Sequence, residues 1–228
     1  RAALAYAVEH NNVDEVKALL QVLPIDITGS ETETQRALSL AISYGHAYIV
    51  ELLLQRADVN PTIENIRRRT LLTTAVADGY VAIVKLLIEN GGVDPNAVDI
   101  EGRTPLMWAV RKLGPKVEDV RSECLPDHWS TFRFLLNFDD IDVNVRDNHG
   151  RTALCHAAMI GTQRCVQWLV LHPSIRPHLP DNNGRTALSF AAERGYADIT
   201  GMLLDLQLHE EFCLGLRDET GRTPLSRA

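Results

Sequence analysis

A leucine recurs along this chain on a nearly fixed ruler: Leu4, Leu38, Leu72, Leu106, Leu154, Leu188 and Leu225, at spacings of 34, 34, 34, 48, 34 and 37 residues. The 48 is one period plus 14 inserted residues, and the 37 is one period plus three. Two stretches repeat almost word for word at this distance, DNHGRTALCHAAMIG over 147–161 and DNNGRTALSFAAERG over 181–195. A fixed period of this length constrains the fold more than any local propensity does. One such copy cannot bury its own apolar face, so copies must stack and share a continuous core. The copies run approximately over 1–30, 31–64, 65–98, 99–146, 147–180 and 181–217, with a partial one over 218–228, in a single domain spanning 1–228.

Each copy has the same internal grammar. A polar turn of the form Asp-x-x-Gly-Arg-Thr opens it, as at Asp99/Gly102/Arg103/Thr104, Asp147/Gly150/Arg151/Thr152, Asp181/Gly184/Arg185/Thr186 and Asp218/Gly221/Arg222/Thr223. Asp bonds its own backbone and Gly tolerates positive φ, so the tetrad makes a tight turn. The Thr that follows caps a short inner helix with paired small residues such as Ala157-Ala158 and Ala191-Ala192. That helix stops at Asn11, Gly45, Gly79, Gly114, Gly161 or Gly195, residue types that accept a left-handed helix end. An outer helix follows with apolar residues at helical spacing, as in Ile83, Val84, Leu86 and Leu87, and then a D-V-N segment leads to the next turn (Asp58-Val59-Asn60, Asp142-Val143-Asn144).

With Thr104-Pro105-Leu106, Thr223-Pro224-Leu225 and Gly45-His46 in phase across the copies, the chain resembles the ankyrin-repeat family along essentially its whole length. Its GRTxL…AAExG wording is similar to the arrays of fungal multidomain ankyrin proteins. The resemblance implies an all-α solenoid of helix–turn–helix units with short hairpin turns. The family's His after the marker Leu is absent from every copy, replaced by Ala5, Ser39, Thr73, Met107, Cys155, Ser189 and Ser226, and copies two and three carry Thr34 and Arg68 where the turn Gly belongs, which predicts irregular hairpins there.

The resemblance also implies a protein or peptide partner held on the concave face, made of hairpin tips and the exposed side of the inner helices. The position two residues after each marker Leu is Tyr6, Leu40, Thr74, Trp108, His156, Phe190 and Arg227. This expects Trp108, His156 and Phe190 to stand exposed side by side, flanked by Arg111, Lys112, Met159, Ile160, Glu193 and Arg194; aromatic residues beside Arg and Met are what interface cores favour. The turns add His149 and an arginine ladder, Arg69, Arg103, Arg151, Arg185 and Arg222, able to read an acidic or phosphorylated segment or else to pair with the turn aspartates.

Other functions find little support. The net charge is −7, so the basic face that nucleic acid needs is missing. No apolar run is long enough for a membrane span. The four cysteines form no CxxC pair, which fits a reducing compartment, cytoplasmic or nuclear. His149, Cys155, His156 and Cys165 lack the spacing of a zinc module, and Cys155 and His156, as helix neighbours, point about 100° apart and make no nucleophile pair. Neither a metal, a cofactor nor an enzymatic activity is expected.

Arg1 falls inside a copy and Ala228 ends one helix turn into another, so the chain reads as part of a longer array. The 14-residue insertion falls within 113–130, between the two helices of copy four, with Asp127 or Ser130 capping the outer helix. Two alternatives stand beside the partner-binding reading. One is a structural or sensor arm without a ligand of its own; the other is a small-molecule pocket near Trp108, His128 and Trp129.

Overall fold

In a computed structural model, residues 3–25, 32–62, 70–114 and 127–209 are described. Among them lie twelve α-helices and one π turn, and no strand. Inner and outer helices alternate: α1 (Ala3–Glu9), α2 (Val13–Val22), α3 (Glu33–Ser43), α4 (Ala47–Leu54), α5 (Leu71–Ala77), α6 (Val81–Lys85, continued as a π turn over Leu86–Asn90), α7 (Pro105–Leu113), α8 (His128–Leu136), α9 (Ala153–Ile160), α10 (Gln163–Val170), α11 (Ala187–Glu193) and α12 (Ala197–His209). Six helix–turn–helix pairs thus sit on the 34-residue ruler. The longer connection of copy four falls between α7 and α8, with residues 115–126 outside the described part. Arg69 and Arg222 also lie outside it.

The helix boundaries follow the sequence grammar. Thr104, Thr152 and Thr186 each accept the backbone N–H three residues on, and Pro105 occupies the first helical position, where a missing N–H costs nothing. Asp127 caps α8, its Oδ1 accepting the Ser130 N–H at 2.8 Å. All six inner-helix stops, Asn11, Gly45, Gly79, Gly114, Gly161 and Gly195, have positive φ. At Gly161 two requirements coincide: φ is +85°, and a Cβ there would lie 2.6 Å from the ring of Tyr196, whose hydroxyl donates to the Ile160 carbonyl.

Copy two departs from the pattern. Thr34, in the slot of the turn glycine, is inside α3, which begins a turn early because Thr32 caps it through the Gln35 N–H. The expected irregular hairpin is replaced there by helix. Thr34 is buried and donates to Asp58 Oδ2.

The residues group into two compact units, Arg1–Ile100 with Leu125–Thr131, and Glu101–Cys124 with Phe132–Ala228. In the first unit, inner helices α1, α3 and α5 stack in order, and outer helices α2, α4 and α6 back them. In the second, α7, α9 and α11 stack, with α10 and α12 behind α9 and α11. The marker leucines Leu4, Leu38, Leu72, Leu106, Leu154 and Leu188 are all buried. Small residues behind them, such as Ala75, Ala109, Ala157, Ala158, Ala191 and Ala192, let the helices approach closely.

Candidate functional site

The second unit carries most of the residues singled out from the sequence. Each turn is closed by its own aspartate. Asp147 Oδ1 accepts the N–H groups of His149 and Arg151, both at 2.9 Å, and Asp181 Oδ1 does the same for Asn183 and Arg185. Consecutive turns are then tied together: the Asn148 N–H donates to the Glu101 carbonyl, and the Asn182 N–H to that of His149. The turns are thereby bonded in register, with an arginine at the same position of each.

Behind the turns, the positions expected to be exposed are not. Trp108, His156 and Phe190 retain only 6%, 3% and 2% of their accessible surface, a correction to the sequence reading. The family resemblance placed them on an open face. The stacked inner helices and the turn arginines close that face over them. The Arg103 guanidinium lies 4.5 Å from the Trp108 ring centre and Arg111 lies 5.8 Å from it. Arg185 and Arg151 lie 4.6 and 5.6 Å from the Phe190 ring centre. Two rings, Trp108 and Phe190, thus each carry two guanidinium groups over them.

Charge pairing among these residues is partial. Arg185 bonds Asp181 Oδ2 through Nε and Nη2 at 3.2 and 3.0 Å. Arg103 pairs with the exposed Glu101 at 2.7 Å. In copy five His156 takes the slot that Phe190 fills in copy six, and its Nε2 bonds Asp147 Oδ2 at 2.9 Å. Arg151 therefore lacks its own turn carboxylate and instead reaches toward Asp181, 3.8 Å away. Burial pushes the Asp147 carboxyl up, but the His156 bond and the N–H groups of Arg151 and His149 outweigh it and hold the group below the usual carboxylate range.

Arg111, Lys112, His149 and Arg194 are exposed, while Arg103, Arg151, Met159 and Arg185 are half-buried. These eight outline the solvent side of the unit's inner-helix and turn face. Exposed tyrosines lie in the first unit: Tyr6 (58% exposed), which the sequence places in the row of exposed inner-helix positions, and Tyr44 (51%) and Tyr48 (50%), which it does not single out. Tyr6 stands in the same row as Trp108, which is buried.

Burial raises the Cys155 thiol and pushes that of Cys165 up to about 12, so neither offers a thiolate near neutral pH. Among the described residues, no three His, Cys, Asp or Glu side chains form a metal-holding group, and no helix is long and apolar enough to cross a membrane.

The family model for ankyrin repeats matches three times, over residues 1–65, 59–121 and 124–211. The chain belongs to the ankyrin-repeat family. No curated protein matches it at significant similarity. Among solved structures, this ankyrin-repeat chain is similar to the ankyrin repeat domain of Bcl-3, a member of the IkappaB protein family, with a TM-score of 0.77 and 24% identity over 99% of this chain and 93% of that one. It is also similar to the ankyrin repeat protein EF0377, with a TM-score of 0.72 and 23% identity over 89% and 96%. Both likenesses concern the fold. A third is a chain from the complex of the predatory endopeptidase Bd0816 of Bdellovibrio bacteriovorus with immunity protein Bd3460, with a TM-score of 0.69 and 26% identity over 90% of this chain and 98% of that one.

Proposed function

We propose that this ankyrin-repeat chain is a protein-interaction module whose second unit binds a protein or peptide partner on its inner-helix and turn face. The partner's carboxylates would meet Arg103, Arg111, Lys112, Arg151, Arg185, Arg194 and His149, with Met159 supplying an apolar contact. Trp108 and Phe190 act from beneath as a platform for the guanidinium groups, while His156 holds Asp147. The observation that carries the reading is the stacking of Arg103 and Arg111 on Trp108, and of Arg151 and Arg185 on Phe190. A guanidinium fixed by a ring has lost part of its rotamer freedom before a partner arrives, so less entropy is lost on binding. The occurrence of a similar chain in an endopeptidase–immunity protein complex fits a role in protein–protein contact. Catalysis has no place in this proposal, and the single array over 1–228 serves as scaffold.

The test uses exposed positions, so that folding is preserved. The chain and an Arg111→Ala/Lys112→Ala/Arg194→Ala variant, matched by circular dichroism, are used to capture partners from native extract. A protein held by the wild type and lost by the variant supports the reading. A protein held equally by both sinks it. The spacer alternative draws on the arginines already paired with Asp181 and Glu101, and it predicts that nothing is captured by either chain.

A further inference from the structure

The first unit presents a different surface. At the ruler's spacing its inner helices place Tyr6 and His10 at the end of α1, Leu40 and Tyr44 at the end of α3, and Thr74 and Asp78 at the end of α5, in two rows of equivalent positions. Stacked inner helices lie roughly 10 Å apart, so the six positions form one continuous patch. Tyr6, His10 and Tyr44 are exposed, as is Glu9 beside them; Leu40, Thr74 and Asp78 are half-buried.

Two of the rings are held in place. The His10 ring tilts against Tyr6 with centres 4.0 Å apart, and its Nδ1 is 2.9 Å from the Tyr6 carbonyl oxygen. Tyr44 stacks on His46 at 5.8 Å with an interplanar angle of 14°. The carboxylates of the patch, Glu9 and Asp78, lie at the same helix ends as the rings. Arg36, the one cation among the described residues of these exposed stripes, sits at the opposite end of α3.

From this arrangement we infer that the Tyr6/His10/Tyr44 patch docks an arginine- or lysine-bearing peptide segment of a partner protein. The inference goes beyond the anionic partner proposed for the second unit and stands or falls separately from it. Electron-rich ring faces flanked by carboxylates match a guanidinium or ammonium group, since ring quadrupole and negative charge act on it with the same sign. The wider field agrees. The first unit holds 14 Asp and Glu against 8 Lys and Arg, whereas the second holds 16 against 15. A cationic segment is therefore steered to the first unit. The unit also contains one such pairing of its own, Lys17 over the Tyr48 ring at 5.0 Å.

The probe is a short fluorescein-labelled Arg-rich peptide, with the same peptide bearing Glu at every Arg position as comparator. Both are titrated into the full 228-residue chain by fluorescence anisotropy at low and at physiological salt. The Arg peptide should bind, more weakly as salt rises, and the Glu peptide should bind the patch no better than background. Tyr6→Ala/Tyr44→Ala should weaken the Arg peptide about tenfold, because two aromatic contacts are lost. Glu9→Gln/Asp78→Asn should weaken it less and flatten the salt dependence. The Arg111→Ala/Lys112→Ala/Arg194→Ala variant should bind the Arg peptide as the wild type does, so failure of the second-unit reading leaves this result untouched. The inference is overturned if the Arg peptide does not bind, if Tyr6→Ala/Tyr44→Ala leaves its affinity unchanged, or if it binds no better than the Glu peptide on the Arg111→Ala/Lys112→Ala/Arg194→Ala variant.

Discussion

Asp147 serves two purposes with one carboxylate: Oδ1 closes its turn and Oδ2 holds His156. Since the ionised group only accepts, His156 Nε2 carries the proton in that bond. Both residues are more than nine-tenths buried. Replacing His156 by Ala leaves a buried carboxylate oxygen without its partner, and should cost about 1–3 kcal/mol in thermal or urea unfolding. His156→Phe should cost less, because copy six has that solution already: with Phe190 in the slot, Arg185 turns onto Asp181, and Arg151 can turn onto Asp147 in the same way. Equal losses for the two variants would refute the equivalence of the two copies. The pH dependence has a definite sign. The folded carboxyl of Asp147 is held below its ordinary value, so its stabilisation is present above the usual carboxylate range and is lost as pH falls through the folded value. Asp147→Asn should therefore show a flatter decline of Tm below about pH 4 than the wild type. The turn aspartates were legible as turn formers. The inward fate of Trp108, His156 and Phe190 was not, because positions carried over from a family by register say nothing of side chains that fold over them from another segment.

At the scale of the element, the inner-helix ends were readable from Gly or Asn at the left-handed position, one or two residues past the last helical residue. Two features were hidden. One is the early start of α3, which rests on Thr32 outcompeting the turn written into the other copies; the other is the π turn over Leu86–Asn90, which has no sequence mark. The readable ends make a sharp comparison. Gly195 has φ +70° with open space around its Cα, so Gly195→Ala should cost only the left-handed strain, about 1–2 kcal/mol. Gly161→Ala should cost clearly more, since its Cβ also drives the Tyr196 ring off the Ile160 carbonyl. Combining it with Tyr196→Ala should give less than the sum of the single losses, the mark of a direct contact. Arg56 is the corresponding clamp of the first unit. Buried to 13% side-chain exposure, it donates to the Leu20 carbonyl at 2.7 Å near the end of α2 and to both oxygens of Asp58. Arg56→Ala should lower stability by about 1–3 kcal/mol and Arg56→Lys by nearly as much, because an ammonium cannot hold these acceptors together. Full recovery with Lys would assign Arg56 a merely electrostatic role.

For the molecule as a whole, repeat arrays derive stability from each copy and its nearest neighbours, so perturbations stay local. The two units differ in charge, 14 acidic against 8 basic residues in the first and 16 against 15 in the second. Excess like charge destabilises a compact state through self-repulsion, and salt screens it over about 10 Å at 0.1 M. Raising ionic strength from a few millimolar to physiological levels should therefore slow amide hydrogen exchange in α1 to α6 more than in α9 to α12. The clamp substitutions calibrate the measurement: Arg56→Ala should speed exchange chiefly in the first set, and His156→Ala chiefly in the second. Hydrogen exchange read by mass spectrometry resolves both sets in one sample. If salt protected the two sets equally while the substitutions stayed local, the charge imbalance would have no energetic consequence, and electrostatic steering toward the tyrosine patch would lose its basis. If both substitutions instead spread evenly over all helices, the array would unfold as one cooperative block, and the division into two units would describe packing without describing stability.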